Sequence, residues 1–290
     1  MPYRHEICRA GKTNQHTYYY AARADKKEGS RRKKVNKTTE AQKKVNSRQA
    51  VKKLTWILNE NFDGTSLYVT WSFAKENRPA GKEELRAVID KLLRDLRRSY
   101  KAAGDILKYV WVAEVGERGA AHVHMVLNAI ELSILKKCWD KGWIDIKPLD
   151  DSGQYRKLAS YFVKYSEKTM KTCEGFSGRR YNPSKNLKIP QPTKTTIKSK
   201  NAYNHTIEIP TGWYLDKESV AEAWHEVTGF MYFTYTLVYD GRSHRDTKES
   251  YALDLETGET RITEKPPGRS RGKCPAQKKM VTTGKGDDSG

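Results

Sequence analysis

Apolar residues along the middle of the chain recur with two different periods. Alternation, or a run of β-branched and aromatic residues, indicates a strand. Strands are predicted in this way at residues 67–73, 109–115, 122–127 and 143–149. Residues 82–100 instead place apolar side chains at three- and four-residue spacing, which predicts an amphipathic helix that Gly104 ends. Helices are also predicted at residues 132–141 and 154–172.

These elements follow one another in the order β, α, β, β, α, β, α. The first six match the ferredoxin-like pattern, in which an antiparallel sheet carries helices on one face. The predicted fold class is therefore α+β: a ferredoxin-like or RRM-like antiparallel sheet with helices on one face and the active site on the other. A basic N-terminal arm and a small C-terminal appendage are expected to flank it.

Composition divides the chain into five regions. Residues 1–60 contain 16 Lys and Arg against 5 Asp and Glu, and the stretch from Thr39 is compatible with a helix lying on DNA or on the domain. Asp216 is a candidate cap for a helix through Val227, and a strand is predicted at 230–239. The predicted regions are the arm and helix at 1–60, a core at 61–175, a basic linker at 176–206, an α/β appendage at 207–262 and a disordered tail at 263–290.

The stretch from Lys108 to Asn128 predicts a hairpin with a polar cluster. If the hairpin is symmetric about Arg118, Glu114 lies opposite His122, and strand alternation places Glu114, His122 and His124 on one face. Two imidazoles and a carboxylate are ligands that suit a divalent cation and leave coordination positions free. A half-exposed strand that merely carries polar residues is the alternative.

The last predicted helix carries the sequence SYFVKYSEK. Helical periodicity places Tyr161, Lys164, Tyr165 and Lys168 along one side. A phenol has an unperturbed pKa of about 10, so it needs nearby positive charge to act as a nucleophile near neutral pH. The alternative is a packed aromatic residue beside solvated lysines. The helix follows the sheet closely enough to lie across its open face, which would bring Tyr161 toward Glu114 and the two histidines.

The charge of the chain favours a polyanionic partner. Lys and Arg total 55 and Asp and Glu 35, a net charge of +20, so nucleic acid is the first partner to consider.

No stretch approaches the roughly 18 apolar residues that cross a bilayer, and no apolar signal core follows the first residues, so a cytosolic protein with no membrane partner is expected. The four cysteines lack CxxC spacing and are expected to be ordinary reduced thiols.

Three motifs in order resemble the His-hydrophobic-His endonucleases that initiate rolling-circle replication, most nearly those of filamentous phages and related plasmids and elements. LYVTWSF at 67–73 resembles the first strand of that family, HVH at 122–124 its metal motif with Glu114 upstream, and YFVK at 161–164 its tyrosine motif. The basic segment before the first strand and RRYNPSKNLKIP at 179–190 resemble the phage-type members. The resemblance covers about residues 40–240.

The resemblance implies a mechanism and a set of partners. Mg²⁺ or Mn²⁺ on Glu114, His122 and His124 would stabilise charge at the scissile phosphate of single-stranded origin DNA, Tyr161 would form a 5′-phosphotyrosyl link, and Lys164 would stabilise the phenolate or the phosphate. Tyr165 is a candidate second nucleophile, or it only packs or contacts DNA. Host DNA polymerase and helicase are the expected partners, in the cytoplasm of a bacterial host cell. Candidate DNA-binding residues are Arg31, Arg32, Lys33, Lys34, Lys168, Arg179, Arg180 and Lys185.

Two other function classes fit parts of the pattern. A non-catalytic RRM-like nucleic-acid-binding protein would share the sheet, but it would stack bases on central aromatic residues where this chain has two histidines and a glutamate. A 2-His-1-carboxylate metal oxygenase would share the ligand types. Such oxygenase sites lie mostly in all-β folds, which the two long helices disfavour.

Overall fold

The structure is a computed structural model. It describes residues 3–21, 38–116, 119–172, 179–197, 206–240, 249–256 and 260–264. The predicted DNA-binding cluster Arg31, Arg32, Lys33 and Lys34 lies outside these residues, and so does most of the predicted tail. Within them, no helix is long and apolar enough to cross a membrane.

The described residues form four α-helices and thirteen strands. The helices are α1 (Glu40–Asn61), α2 (Lys82–Ala102), α3 (Leu132–Lys137) and α4 (Arg156–Thr172). The strands are β1 (Tyr3–Ala10), β2 (Thr13–Tyr20), β3 (Leu67–Phe73), β4 (Tyr109–Val115), β5 (Ala121–Leu127), β6 (Gly142–Pro148), β7 (Asn182–Pro183), β8 (Thr193–Ile197), β9 (Thr206–Ile209), β10 (Trp213–Trp224), β11 (Met231–Tyr239), β12 (Glu249–Asp254) and β13 (Thr260–Glu264).

The central sheet has the strand order β6-β3-β5-β4-β7, with every pair antiparallel. Together with α2 and α3 it confirms the predicted α+β, ferredoxin-like architecture. One face is apolar because alternate residues of β3 point into it, Val69 and Trp71 among them, and both are fully buried. The buried stripe of α2, which includes Leu85, Ile89 and Leu96, packs against this face.

The opposite face of the central sheet is more covered than the sequence predicts. As expected, α4 lies across it, and Phe162 and Val163 pack with Val112 of β4. The last turns of α1 also enter this layer through Leu54 and Leu58, both fully buried. The expectation that a helix after Thr39 lies on DNA or on the surface of the domain is therefore wrong, because α1 contributes to a core. Only part of this face is left for a site.

A second five-stranded sheet, with the order β10-β11-β2-β1-β8, pairs the first two strands of the chain with strands from residues 193–239. Residues 3–20 form a hairpin here, which corrects the prediction of a basic arm over this part of 1–60. The arm prediction rested on the charge of the whole segment. That charge is concentrated after residue 22, whereas β1 and β2 are rich in Tyr, Thr, His and Ile, which favour strands.

The predicted helix at 216–227 is also wrong, because most of it belongs to β10. Residues of β10 pair with β11, but the register shifts between Asp216 and Ala221. Such an irregularity changes the phase of inward- and outward-facing residues. The apolar residues Val220, Ala223 and Trp224 thereby acquire a spacing that resembles helical periodicity. The predicted strand at 230–239 is confirmed as β11.

The predicted linker at 176–206 contains two short strands that pair with both sheets. β7 extends the central sheet beside β4, and β8 extends the second sheet beside β1. The side chain of Leu187, between them, is buried with the core of α1 and α4. This segment therefore joins the two sheets, although its low apolar content suggested a loop without regular structure. At the other end of the chain, β13 occupies the first residues of the predicted tail.

Candidate active site

The hairpin of β4 and β5 has the predicted register. Glu114 pairs with His122 and Val112 with His124. The connection closes with the backbone N–H of Gly116 donating to the carbonyl of Ala120 at 2.9 Å, and Gly119 adopts a φ of 71°, a conformation that favours glycine. Since directly paired and alternate residues share a face, the two histidines and the glutamate project from the same side of the sheet.

Hydroxyl groups on β3 hold the δ nitrogens of both histidines. The Tyr68 hydroxyl lies 2.8 Å from His124 Nδ1, and the Ser72 hydroxyl lies 2.9 Å from His122 Nδ1. A hydroxyl can donate or accept, so these contacts fix the rings in either tautomer. Partners of this kind are typical of metal-binding histidines, whose other ring nitrogen carries the metal. Tyr68 and Ser72 are functional candidates that the sequence analysis missed, although alternation along β3 placed them on this face.

The carboxylate of Glu114 joins the hairpin to α4. His124 Nε2 lies 3.0 Å from Glu114 Oε2, and Lys168 Nζ donates to Glu114 Oε1 at 2.9 Å. Burial by itself would raise the pKa of Glu114, but the hydrogen bonds from Lys168 and His124 outweigh it and lower that pKa. Burial lowers the pKa of His124, and Glu114 opposes the shift. A neutral imidazole and an ionised carboxylate are the protonation states that bind a metal.

These residues fit a divalent cation by donor type. In the described part of the chain, no three His, Cys, Asp or Glu side chains are grouped as a ready metal cage. His124 contacts Glu114, but the ring centroids of His122 and His124 are 6.2 Å apart. The hydroxyl-held imidazoles and the carboxylate nevertheless supply the nitrogen and oxygen donors that a cation such as Mn²⁺ accepts. Glu114 would exchange its contacts with His124 and Lys168 for such an ion.

The two tyrosines of α4 lie at different distances from the histidines. The ring of Tyr165 stacks on His124, with centroids 4.4 Å apart, and the ring of Tyr161 lies 6.4 Å beyond Tyr165. Burial, Glu114 and Tyr161 raise the pKa of Tyr165. Tyr161 is 54% exposed, and Lys164 is exposed one turn along the helix. The structure therefore brings Tyr165 into direct contact with His124 and leaves Tyr161 accessible next to Tyr165.

Residues 66–170 match the family model of the replication-associated protein ORF2/G2P. The match begins just before β3 and ends within α4, so it contains the hairpin and both tyrosines. It supports a replication initiator protein, and the second sheet lies outside it. No curated protein and no solved structure showed a significant match to the chain.

The predicted DNA-binding residues fall in different places. Lys168 belongs to the site itself through its ion pair with Glu114. Arg180 pairs with Glu167 of α4 at 2.9 Å, and both Arg179 and Arg180 border a cleft. Lys185 is exposed and is not part of that cleft.

The cleft has a volume of about 1270 Å³ and lies among α1, α4, the second sheet and the segment from Arg179 to Lys194. Seven lysines and arginines and two glutamates line it, along with six tyrosine, tryptophan and phenylalanine rings. Ser160 of α4 is on its rim, next to Tyr161 in the chain. Sequence analysis missed the cleft because its walls come from segments far apart in the sequence.

Proposed function

We propose that this protein is a site-specific single-stranded DNA endonuclease and strand transferase that nicks an origin to initiate rolling-circle replication of a phage, plasmid or mobile element. The observation that carries the proposal is the stacking of Tyr165, on the tyrosine-bearing helix α4, on His124, whose imidazole contacts Glu114. The candidate nucleophile, the candidate metal ligands and the ammonium of Lys168 thereby lie on one face of the sheet. All of them belong to the segment that matches a replication-associated family.

In the proposed reaction, the phenol oxygen of Tyr161 attacks the phosphorus of the scissile phosphate. A bond forms between that oxygen and phosphorus, and the bond from phosphorus to the 3′ oxygen breaks. The phenol proton is lost and the departing oxygen is protonated, which leaves a 5′-phosphotyrosyl link and a free 3′-hydroxyl that primes synthesis. Mg²⁺ or Mn²⁺ held by Glu114, His122 and His124 would supply electrostatic stabilisation of the phosphate.

The neighbouring side chains support Tyr161 as the nucleophile. Its phenol is open to an approaching strand, whereas Tyr165 is stacked on His124. Lys164 is exposed on the same helix and has no ion pair among the described residues, so its ammonium is available for the phenolate or the phosphate. In the proposal, Tyr165 packs His124 in place in the first cleavage, and it is the candidate second nucleophile for strand transfer.

The proposed substrate is single-stranded origin DNA, and the cleft supports this choice. Its excess of cations suits a phosphate backbone, and its aromatic rings suit unpaired bases. An exposed stripe of α4, formed by Lys157, Ser160, Tyr161 and Lys164, runs from the rim of the cleft toward the site. In the cytoplasm of a bacterial host cell, a host DNA polymerase would then extend the 3′-hydroxyl while a host helicase separates the strands.

The test is incubation of the protein with single-stranded DNA and Mn²⁺, followed by a denaturing gel. We expect a covalent protein–DNA adduct with the wild type and with Tyr214→Phe, a matched control because Tyr214 is 45% exposed on the second sheet. Tyr161→Phe is expected to form no adduct and to keep nearly all of its DNA binding. Binding without any adduct from the wild type would favour the non-catalytic, RRM-like function instead.

A further inference from the structure

An exposed indole lies at the edge of the central sheet, on β6. The side chain of Trp143 is 69% exposed, although burying a ring of this size would favour folding. Its neighbours Ile144 and Ile146 pack against the core on the other face of the sheet. Trp143 therefore projects from the same face as the histidines, because alternate residues of a strand point to opposite sides.

The register places Trp143 in line with the candidate metal ligands. Trp143 pairs with Ser72 of β3, Ser72 pairs with His122 of β5, and His122 pairs with Glu114 of β4. These four residues form one row across four strands. Trp143 is two strand spacings from His122, roughly 10 Å. Ser72, between them, contacts the ring of His122 through its hydroxyl.

Local packing fixes β6 against β3 at this point. A Cβ atom on Gly142 would lie 2.2 Å from the carbonyl oxygen of Ser72, so only glycine permits this close approach. Trp139 Nε1 also donates to that carbonyl at 3.2 Å. On the same face, α4 packs on β4 and contacts Tyr68 of β3 through Phe162. The indole is thus held on β6, at the edge of the site.

We infer that Trp143 is a stacking platform for a DNA base next to the scissile phosphate. The inference rests on the proposed function and adds a substrate contact in the row of residues that contains His122 and Glu114. Aromatic stacking accepts any base because every base has a π-face. A strand crossing the site would be held by one base on the indole of Trp143 while the neighbouring phosphate faces the candidate metal ligands and the phenol of Tyr161.

The experiment compares Trp143→Ala with Trp224→Ala, a matched control because Trp224 is 67% exposed but lies on β10 of the second sheet. Binding of a fluorescein-labelled single-stranded oligonucleotide of random sequence is measured without divalent cation. We expect Trp143→Ala to bind roughly 5- to 100-fold more weakly, the range for removal of one stacked base. Trp143→Phe should recover most of the affinity, and Trp224→Ala should bind as the wild type does.

The readouts separate this inference from the proposed function. Weaker binding of Trp143→Ala with an unchanged unfolding midpoint supports the stacking role, even if the wild type forms no covalent adduct. An affinity of Trp143→Ala within twofold of the wild type overturns the inference, even if the adduct forms normally. Weakening by Trp224→Ala equal to that by Trp143→Ala would also overturn it, because the effect would then not be local to the site.

Discussion

The two faces of the central sheet are built from the same strands and differ in what covers them. On one face, Trp71, Val123 and Met125 are completely buried beneath α2 and α3. On the other, Val112 is buried under α4, while His122, two residues from His124, is only half-buried and Trp143 is exposed. The difference shows that the same alternating strands can bury an apolar core on one face of a sheet and carry a polar site on the other. The site lies where the helical cover ends.

Removing a ligand from the polar face should have the largest effect on function. We expect His122→Ala to reduce DNA cleavage roughly a thousand-fold or more, because the proposed cation would contribute several kcal/mol of charge stabilisation. EDTA should reduce wild-type cleavage similarly. The free energy of unfolding should change by less than about 1 kcal/mol, since this imidazole is half-buried and outside the apolar core. Full cleavage in EDTA would remove the metal from the proposal.

Truncating a side chain on the apolar face should instead have a large effect on the free energy of unfolding. Leu96 of α2 is fully buried in the core, so Leu96→Ala is expected to lower the free energy of unfolding by about 2–5 kcal/mol. Chemical denaturation measures this change. Arg94→Ala, on the exposed side of the same helix, is the control and should stay within about 0.5 kcal/mol of the wild type. Equal stability of the two variants would contradict the assignment of this face as the core.

A third prediction compares His124 with His16, a half-buried histidine whose pKa is not affected by a carboxylate. In the second sheet, burial, His5 and Arg9 lower the pKa of His16 to about 4. The unfolded chain, with a pKa near 6.5, therefore binds more protons as the pH falls. The stability contributed by the neutral ring is complete above pH 6.5 and is lost toward pH 4, by up to about 3 kcal/mol. His16→Gln should make the free energy of unfolding, measured by chemical denaturation, depend less on pH over this range. An unchanged dependence on pH would contradict the lowered pKa of His16.

The smallest predicted effect concerns the cleft. Lys53 and Arg179 line it and form no ion pair among the described residues. Replacing both with Ala should make the slope of log affinity against log salt shallower by roughly 0.7 for each phosphate of the single strand that is no longer neutralised. Arg94→Ala combined with Lys101→Ala removes the same charge from α2 and is the control. Equal slopes for the two double variants would mean that the cleft residues affect DNA binding only through the net charge of the protein.

The hairpin of β4 and β5 and the pairing of Glu114 with His122 could be predicted from the sequence, because alternation and a glycine-containing turn are local signals. The same logic applied to β3 would have placed Tyr68 and Ser72 beside the histidines. The hairpin at Tyr3–Tyr20 could not be separated from the basic residues that follow it, because charge was averaged over the whole segment. The register shift after Asp216 produced a false helical spacing. The cleft depends on contacts between distant segments, which composition and periodicity do not contain.

The central claim is that Tyr161 is the nucleophile, and the most direct test is to locate the nucleotide on the protein. Trypsin cleaves after Lys157, Lys164 and Lys168, so it separates Tyr161, in residues 158–164, from Tyr165, in residues 165–168. Mass spectrometry of the digested adduct formed with single-stranded DNA and Mn²⁺ should find the nucleotide on the peptide of residues 158–164. A nucleotide found only on residues 165–168, or only on another peptide, would contradict the claim.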